Sequence, residues 1–308
     1  MIRVANAPCS WGVLEFHDAA PPRIPPRKML CEMAATGYAG TELGDWGFLP
    51  TDPATLSAAV AEHGLSLVGA FVPVRLADPS ALAAATGCVL RVARLLAEAS
   101  PHPAPNTQRA APFVVLSDDN ATVPHRTARA GRIAPGDGLG PDAWPGFVAR
   151  AEQIATAVRD ATGLRTAFHP HCAGYVETPS ELDALMQRTD PDVLGLCLDT
   201  GHLTYGGGDP VAAIRRYGDR IRHVHLKDGS AEVMRRARAE AWDYRRAVRE
   251  GLFCELGRGS VDFPAILDEL RRAEYDGWLV VEQDIVAGLG TPAESAARNR
   301  AFLRALGV

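Results

Sequence analysis

No cysteine pair of the C-x-x-C type occurs in this chain: Cys9, Cys31, Cys88, Cys172, Cys197 and Cys254 lie far apart. That scatter argues against a disulfide framework and a cysteine-ligated zinc site, and reads as buried thiols. There is no surplus of positive charge either. With 32 basic and 37 acidic residues the formal charge is −5, which leaves no electrostatic footprint for DNA or RNA. No apolar run approaches the roughly 18 to 20 residues that span a bilayer, so no membrane segment is expected. The first residues, MIRVANAPCSWG, have no basic region, apolar core or small-residue cleavage site, and are read as the start of a mature cytoplasmic protein. No G-x-G-x-x-G follows the first strand candidate. GGGDP (206–210) and GLGTP (288–292) are not dinucleotide fingerprints, which argues against an open doubly wound sheet.

What is present is an ordinary globular composition, 47% hydrophobic over 308 residues, cut into alternating strand and helix signals. Strand candidates fall at 2–7, 38–43, 66–74, 113–119, 164–171, 193–198, 221–226 and 278–284. Helix candidates fall at 27–36, 53–64, 79–99, 146–161, from about 178, and at 210–217, 263–273 and 292–306. Their ends carry recognisable chemistry: Asp52 ahead of Pro53 starts a helix, and Gly37 and Gly163 stop two others. Residues 101–112 read as a loop, and 122–145 as a long Gly/Pro/Arg-rich excursion. An extra charged helix is predicted at 231–252, with Arg235, Arg236, Arg238, Arg245, Arg246 and Arg249 on a solvated face. Strictly alternating βα units demand a parallel sheet, and eight of them close a barrel. The expected fold is α/β, a (β/α)8 TIM barrel forming one domain over 1–308.

In such a barrel the carboxyl ends of the strands converge on one mouth. The polar residues at those ends are Asn6, Glu42, His169, His171, Asp199, His202, His225, Lys227, Glu282 and Asp284. The densest stretch is 194–228, LGLCLDTGHLTYGGGDP and then RIRHVHLKD, two apolar runs each ending in groups that bind metals. Burying so many charges without a partner is prohibitive, whereas a divalent cation satisfies the carboxylates and selects neutral imidazole. The mixed histidine and carboxylate set suits Mn²⁺ and Co²⁺ foremost, then Zn²⁺ or Fe²⁺; an all-oxygen set favours Mg²⁺. Trp11, Trp46 and Phe71, at or just past strand ends, pack either on a sugar face or within the rim. The LGRGSVDF loop offers Arg258 and backbone amides to a hydroxyl or an anion, or serves only as a tight turn. Glu177 reads as a helix-start charge.

FHPHCAGYVETPSEL, LCLDTGHLTYGGGDP, HVHLKD, LGRGSVDF and WLVVEQD resemble the motifs of the xylose-isomerase-like barrels. That superfamily contains sugar epimerases and isomerases, inosose dehydratase, 3-dehydroshikimate dehydratase and endonuclease IV. APCSWG and GYAGTELG resemble its inosose dehydratase branch. The resemblance implies a divalent metal held by His169, Asp199, His225 and Glu282. Many relatives carry glutamate at the first of these places, in an E-N-H pattern; here the pattern is H-P-H, which removes one of the two carboxylates that epimerases use as acid and base.

The implied activity is therefore a metal-dependent hydro-lyase that dehydrates a keto-polyol of the inosose type through a metal-stabilised enolate. In it Glu282 is ligand and base, His202 the acid or a substrate hydrogen bonder, and Glu42 and Lys227 orient hydroxyls. Asn6, Trp11, Trp46, His171 and Arg258 contact the polyol or keto-sugar substrate. A ketose epimerase or sugar isomerase, and a non-catalytic sugar-binding barrel, are the alternatives. DNA cleavage of the endonuclease IV kind is disfavoured by the negative charge and by too few histidines for three zinc ions. The sequence leaves a homo-oligomer open.

Overall fold

The computed structural model describes residues 2–12, 24–100, 111–120, 122–284 and 290–308. Its strands are β1 (Arg3–Asn6), β2 (Gly40–Glu42), β3 (Ser66–Val74), β4 (Phe113–Asp118), β5 (Arg165–Phe168), β6 (Leu194–Asp199), β7 (Ile221–Leu226), β8 (Asp228–Gly229), β9 (Phe253–Cys254) and β10 (Trp278–Val281). β8 and β9 pair antiparallel with each other. The other eight close a parallel barrel in the order β1-β10-β7-β6-β5-β4-β3-β2, the fold that the alternation predicts.

The helices are α1 (Pro26–Thr36), α2 (Pro53–Glu62), α3 (Leu82–Ala99), α4 (Pro124–Arg129), α5 (Trp144–Thr162), α6 (Pro179–Arg188), α7 (Thr200–Tyr205), α8 (Pro210–Tyr217), α9 (Ala231–Ala239), α10 (Tyr244–Arg249), α11 (Phe263–Arg272) and α12 (Pro292–Ala305). Their ends follow the local chemistry. The Asp52 carboxylate accepts the Thr55 N–H and Pro53 fills the first turn of α2, while α1 and α5 stop at glycines with φ of 90° and 72°.

Period-two alternation sorts the strand residues into two sets. Val72, Val114, Leu116, Leu196, Leu198, Val224, Leu279 and Val281 join the main core with the helices, while Phe71, Val115, Ala167 and Cys197 form a small cluster inside the barrel. The segment Pro79–Ala99 is, by length and composition alone, long and apolar enough to cross a membrane, a test that a core helix also passes. Here it is one layer of the helical ring: Val89, Val92, Leu95 and Leu96 are buried, and α3 packs on β3, α2 and α5.

The structure departs from the sequence reading in the connections. Residues 231–252 are not one helix; α9 and α10 are broken around Ala241, at φ 53°, and Asp243 caps α10 by accepting the Arg246 N–H at 2.7 Å. The break buries Trp242, whose ring lies under the guanidinium groups of Arg236 at 4.9 Å and Arg246 at 4.5 Å. Those arginines therefore pack on an aromatic ring as well as facing water.

The excursion at 122–145 contains α4, and it is tied to the barrel through fully buried Arg126, which grips both Glu181 oxygens at 2.8 and 3.0 Å. Glu177 directly precedes the Thr178 cap of α6, at the helix start as read, but it is buried and accepts N–H groups from Gly131 at 2.6 Å and Ala173 at 2.8 Å. Burial pushes its pKa up to about 7. Most of the loop predicted at 101–112, and the first part of the 288–292 turn, lie outside the described residues.

Candidate active site

β6 and β7 are registered so that Asp199 and His225 are direct neighbours. The barrel hydrogen bonds run one residue beyond β5 and β10, where His169 N–H donates to Leu116 O at 2.7 Å and Glu282 N–H to Leu226 O at 3.0 Å. Four side chains therefore reach the mouth from four consecutive strands of the barrel. Asp199 divides its two oxygens. Oδ1 caps α7 by accepting the His202 N–H at 2.8 Å. Oδ2 lies 3.4 Å from His169 Nε2 and 3.9 Å from His225 Nδ1, which in turn lies 3.2 Å from Glu282 Oε1.

Asp199 Oδ2 and His225 Nδ1 are buried and have no hydrogen-bond partner among the described residues. Ligand atoms about 2.0–2.2 Å from one tetrahedral ion stand about 3.3–3.6 Å apart. The ligand atoms of Asp199, His225 and Glu282 lie within 4.8 Å of one another; that gathering and the orphaned lone pairs fit a divalent cation, with His169 Nε2 beside Asp199 Oδ2 as the further candidate ligand. The electrostatics are mixed: at His225 burial is outweighed by Cys197, Glu282 and Glu42, which push its pKa well above the usual value, so a cation must displace a proton there, whereas His169 and Asp199 suit ligation directly. Burial pushes the His169 imidazole down against the pull of Asp199, so its neutral, ligating form prevails. Burial opposes ionisation of Asp199, but His169 and Lys227 outweigh it and hold the carboxyl well below its usual range.

Glu42 stands at a register shift between β2 and β3, a bulge of the kind that re-aims a side chain. Its Oε1 accepts from His223 Nε2 at 2.8 Å and from His225 Nε2 at 3.0 Å. Burial works to raise this carboxyl, and the two imidazoles, His225 foremost, outweigh it and hold it well below the usual carboxylate range. Gly69 makes room: a Cβ there would stand 3.1 Å from Phe113 O and 3.3 Å from Glu42 Oε1. His223 is the site residue that the sequence reading missed. The alternation in IRHVHL was the available signal, because residues two apart on β7 share a face.

Lys227 Nζ lies 3.1 Å from Glu282 Oε2, 3.8 Å from Asp284 Oδ2 and 3.3 Å from His202 Nε2. Burial opposes its charge, and Asp284 and Glu282 outweigh burial and push the pKa up, so the ammonium persists. His202 stacks on His171 with ring centroids 3.8 Å apart, and its Nδ1 faces the Cys172 N–H at 3.3 Å. Burial first, then His171 and Lys227, push its pKa well below the usual value. Phe253, 4.9 Å from His202 between ring centroids, and Tyr244 at 6.2 Å wall this side. Both come from the segment between β8 and β10.

Gly201 explains part of the local sequence. A Cβ there would stand 2.8 Å from Lys227 Cγ and 2.9 Å from Lys227 Cβ. Gly201→Ala is expected to displace Lys227 and lower stability by about 1–3 kcal/mol in urea denaturation. A loss under about 0.5 kcal/mol would show that the lysine stem yields freely.

The cavity at the mouth is lined by Cys9, Glu42, Asp45, Phe71, His169, His171, Lys227, Glu282 and Asp284, among others. Five of the predicted site residues thus line it, with Asp199, His225 and His202 packed directly against them. The structure places the remaining four elsewhere. Asn6 is buried beneath, its Oδ1 accepting the Ala7 N–H at 2.8 Å. Trp11 is fully buried and donates to Glu32 of α1 at 2.9 Å. Trp46 is 41% exposed, with the Arg91 guanidinium 4.5 Å over its ring. Arg258 is exposed and pairs with Glu255 at 3.2 Å. Phe71 is the aromatic residue at the cavity, 5.5 Å from His169 and 5.7 Å from His171 between ring centroids.

A closed eight-stranded parallel barrel with its polar cluster at the carboxyl-end rim is the TIM-barrel architecture. Residues 31–306 match the family model described as xylose isomerase-like TIM barrel, and the chain belongs to that family. It is 31% identical over 285 residues to an inosose dehydratase of Geobacillus kaustophilus (strain HTA426), covering 92% of this chain and 87% of the relative. It is 34% identical over 286 residues to the rhizopine catabolism protein MocC of Rhizobium meliloti, covering 92% and 82%. Among solved structures, that of L-ribulose 3-epimerase superposes with a TM-score of 0.68 at 19% identity, over 99% of this chain and 94% of the other, a likeness of fold.

Proposed function

We propose that this protein is a metal-dependent hydro-lyase that removes water from a keto-polyol of the inosose type. The observation that carries the reading is the gathering of Asp199, His225 and Glu282 ligand atoms within 4.8 Å of one another, with His169 Nε2 3.4 Å from Asp199 Oδ2 and the Lys227 ammonium 3.1 Å from the second Glu282 oxygen. The relatives named inosose dehydratase support the substrate class. A divalent cation bound there, Mn²⁺ or Co²⁺ foremost and Zn²⁺ or Fe²⁺ also matching the donors, supplies a Lewis acid for the substrate ketone.

The chain's own groups divide the proton work. Glu282 takes the proton from the carbon beside the ketone. The electron pair of that C–H bond forms the new double bond, and the hydroxyl on the next carbon leaves as water after accepting a proton. Of the two roles expected of His202, acid or substrate hydrogen bonder, the second is the better match, because burial drives its pKa down and its Nε2 faces an ammonium. The acid is Lys227. The chain has only two lysines, Lys28 and Lys227, against an abundance of arginine. A lysine can give up its proton where an arginine cannot. Because position 169 is histidine, the site pairs one carboxylate base with one ammonium acid, which suits elimination better than exchange between two equivalent carboxylates.

The test is incubation with 2-keto-myo-inositol, before and after chelation. An ultraviolet-absorbing enolisable diketone is expected, lost on metal removal and restored by Mn²⁺ or Co²⁺. Interconversion of ketoses with no absorbance change would replace this reading by epimerase or isomerase chemistry. Sugar binding with no turnover would mark a non-catalytic barrel.

A further inference from the structure

We infer that Glu42 and His223 are positioning residues that determine which nitrogen of His225 is presented to the metal. The inference rests on His225 being a ligand, as proposed above, and concerns groups behind it. A neutral imidazole has one N–H and one lone pair. His225 Nε2 faces Glu42 Oε1 at 3.0 Å. A carboxylate has no proton to give, so the imidazole proton sits on Nε2 and the lone pair on Nδ1. Nδ1 is the atom 3.2 Å from Glu282 Oε1, without a hydrogen-bond partner among the described residues.

Glu42 is itself held in place. His223 Nε2 donates to the same oxygen at 2.8 Å, the β2 bulge aims the side chain inward, and the bare Cα of Gly69 leaves the space it occupies. His223 is wholly buried, and its ring lies 5.3 Å from that of His225. Its position gives it no route to substrate, but it supplies the second donor that a buried carboxylate requires. Partners of this kind are worth about 10- to 100-fold in metal affinity.

The experiment is calorimetric titration of metal-stripped protein with Co²⁺, with the visible Co²⁺ absorption recorded alongside. Asp199→Ala is expected to abolish binding. Glu42→Gln and His223→Leu are expected to weaken it about 10- to 100-fold and to shift the absorption, with near-ultraviolet circular dichroism unchanged. His223→Gln, which keeps an N–H donor near the Nε2 position, is expected to stay within about threefold of wild type. The His223 pair compares donor with no donor at unchanged charge, so it carries the test even where Glu42→Gln folds poorly. If Asp199→Ala binds Co²⁺ as wild type does, the metal site and the inference fall together. If Asp199→Ala abolishes binding while Glu42→Gln and His223→Leu bind within about threefold of wild type, the positioning role is overturned and the proposed function stands.

Discussion

Glu282→Gln is expected to retain the fold and lose about 10²- to 10⁴-fold in kcat on a keto-polyol substrate. The amide keeps the shape of the carboxylate and one acceptor oxygen, but its NH2 only donates and the group cannot accept a carbon-bound proton. Glu282 is also proposed as a ligand, with Oε1 3.2 Å from His225 Nδ1 and Oε2 3.1 Å from Lys227 Nζ. The two roles separate in one experiment. Metal affinity is measured first, and kcat then at saturating metal. A variant that binds metal weakly but recovers wild-type kcat when saturated would leave Glu282 a ligand and remove it as the base. Loss of kcat with KM unchanged is the result that the reading requires, because it marks an interaction made only in the transition state.

The second large effect lies away from the chemistry. Arg126→Met is expected to cost about 3–5 kcal/mol of stability in urea denaturation. The Arg126 side chain is wholly buried and that of Glu181 is 10% exposed. Besides its two bonds to Glu181, the guanidinium donates through Nε to Gly174 O at 2.9 Å. Truncation leaves Glu181 without its countercharge. The N–H groups of Glu177 and Thr178, both 3.0 Å from Glu181 Oε2, offset only part of that loss. Adding Glu181→Gln to Arg126→Met removes the uncompensated charge and is expected to recover more than half of the loss. A single-variant loss below about 1 kcal/mol would refute the assignment of this pair as the anchor of the excursion.

This anchor bears on the site through the β5–α6 loop. Ala173 and Val176 both adopt left-handed φ values, 72° and 69°. That conformation strains a β-branched valine. Glu177 accepting the Ala173 N–H, and Arg126 donating to Gly174, hold this backbone in place. The same loop carries His169 and His171 into the cavity. The Arg126 ties could not be read in order along the chain, since Arg126 lies 48 residues from Gly174 and 55 from Glu181.

What the sequence determined by itself is the barrel and the polar residues at its strand ends. Both follow from short-range physics: period-two and 3.6 patterning, caps and glycine stops place strands and helices locally, and a closed parallel barrel sends every strand's carboxyl end to one rim. The polar strand ends, Asp199, His225, His169 and Glu282 among them, could therefore be gathered at one mouth without coordinates, while the choice of these four as a ligand set came from the family resemblance. Tertiary structure alone decided which atoms meet. That Asp199 spends one oxygen on a helix cap, that Glu42 joins two histidines more than 180 residues away, and that Trp11 turns outward to Glu32 are matters of register and side-chain direction. Register is set by packing between distant segments, and a shift of one residue reverses the face a side chain occupies.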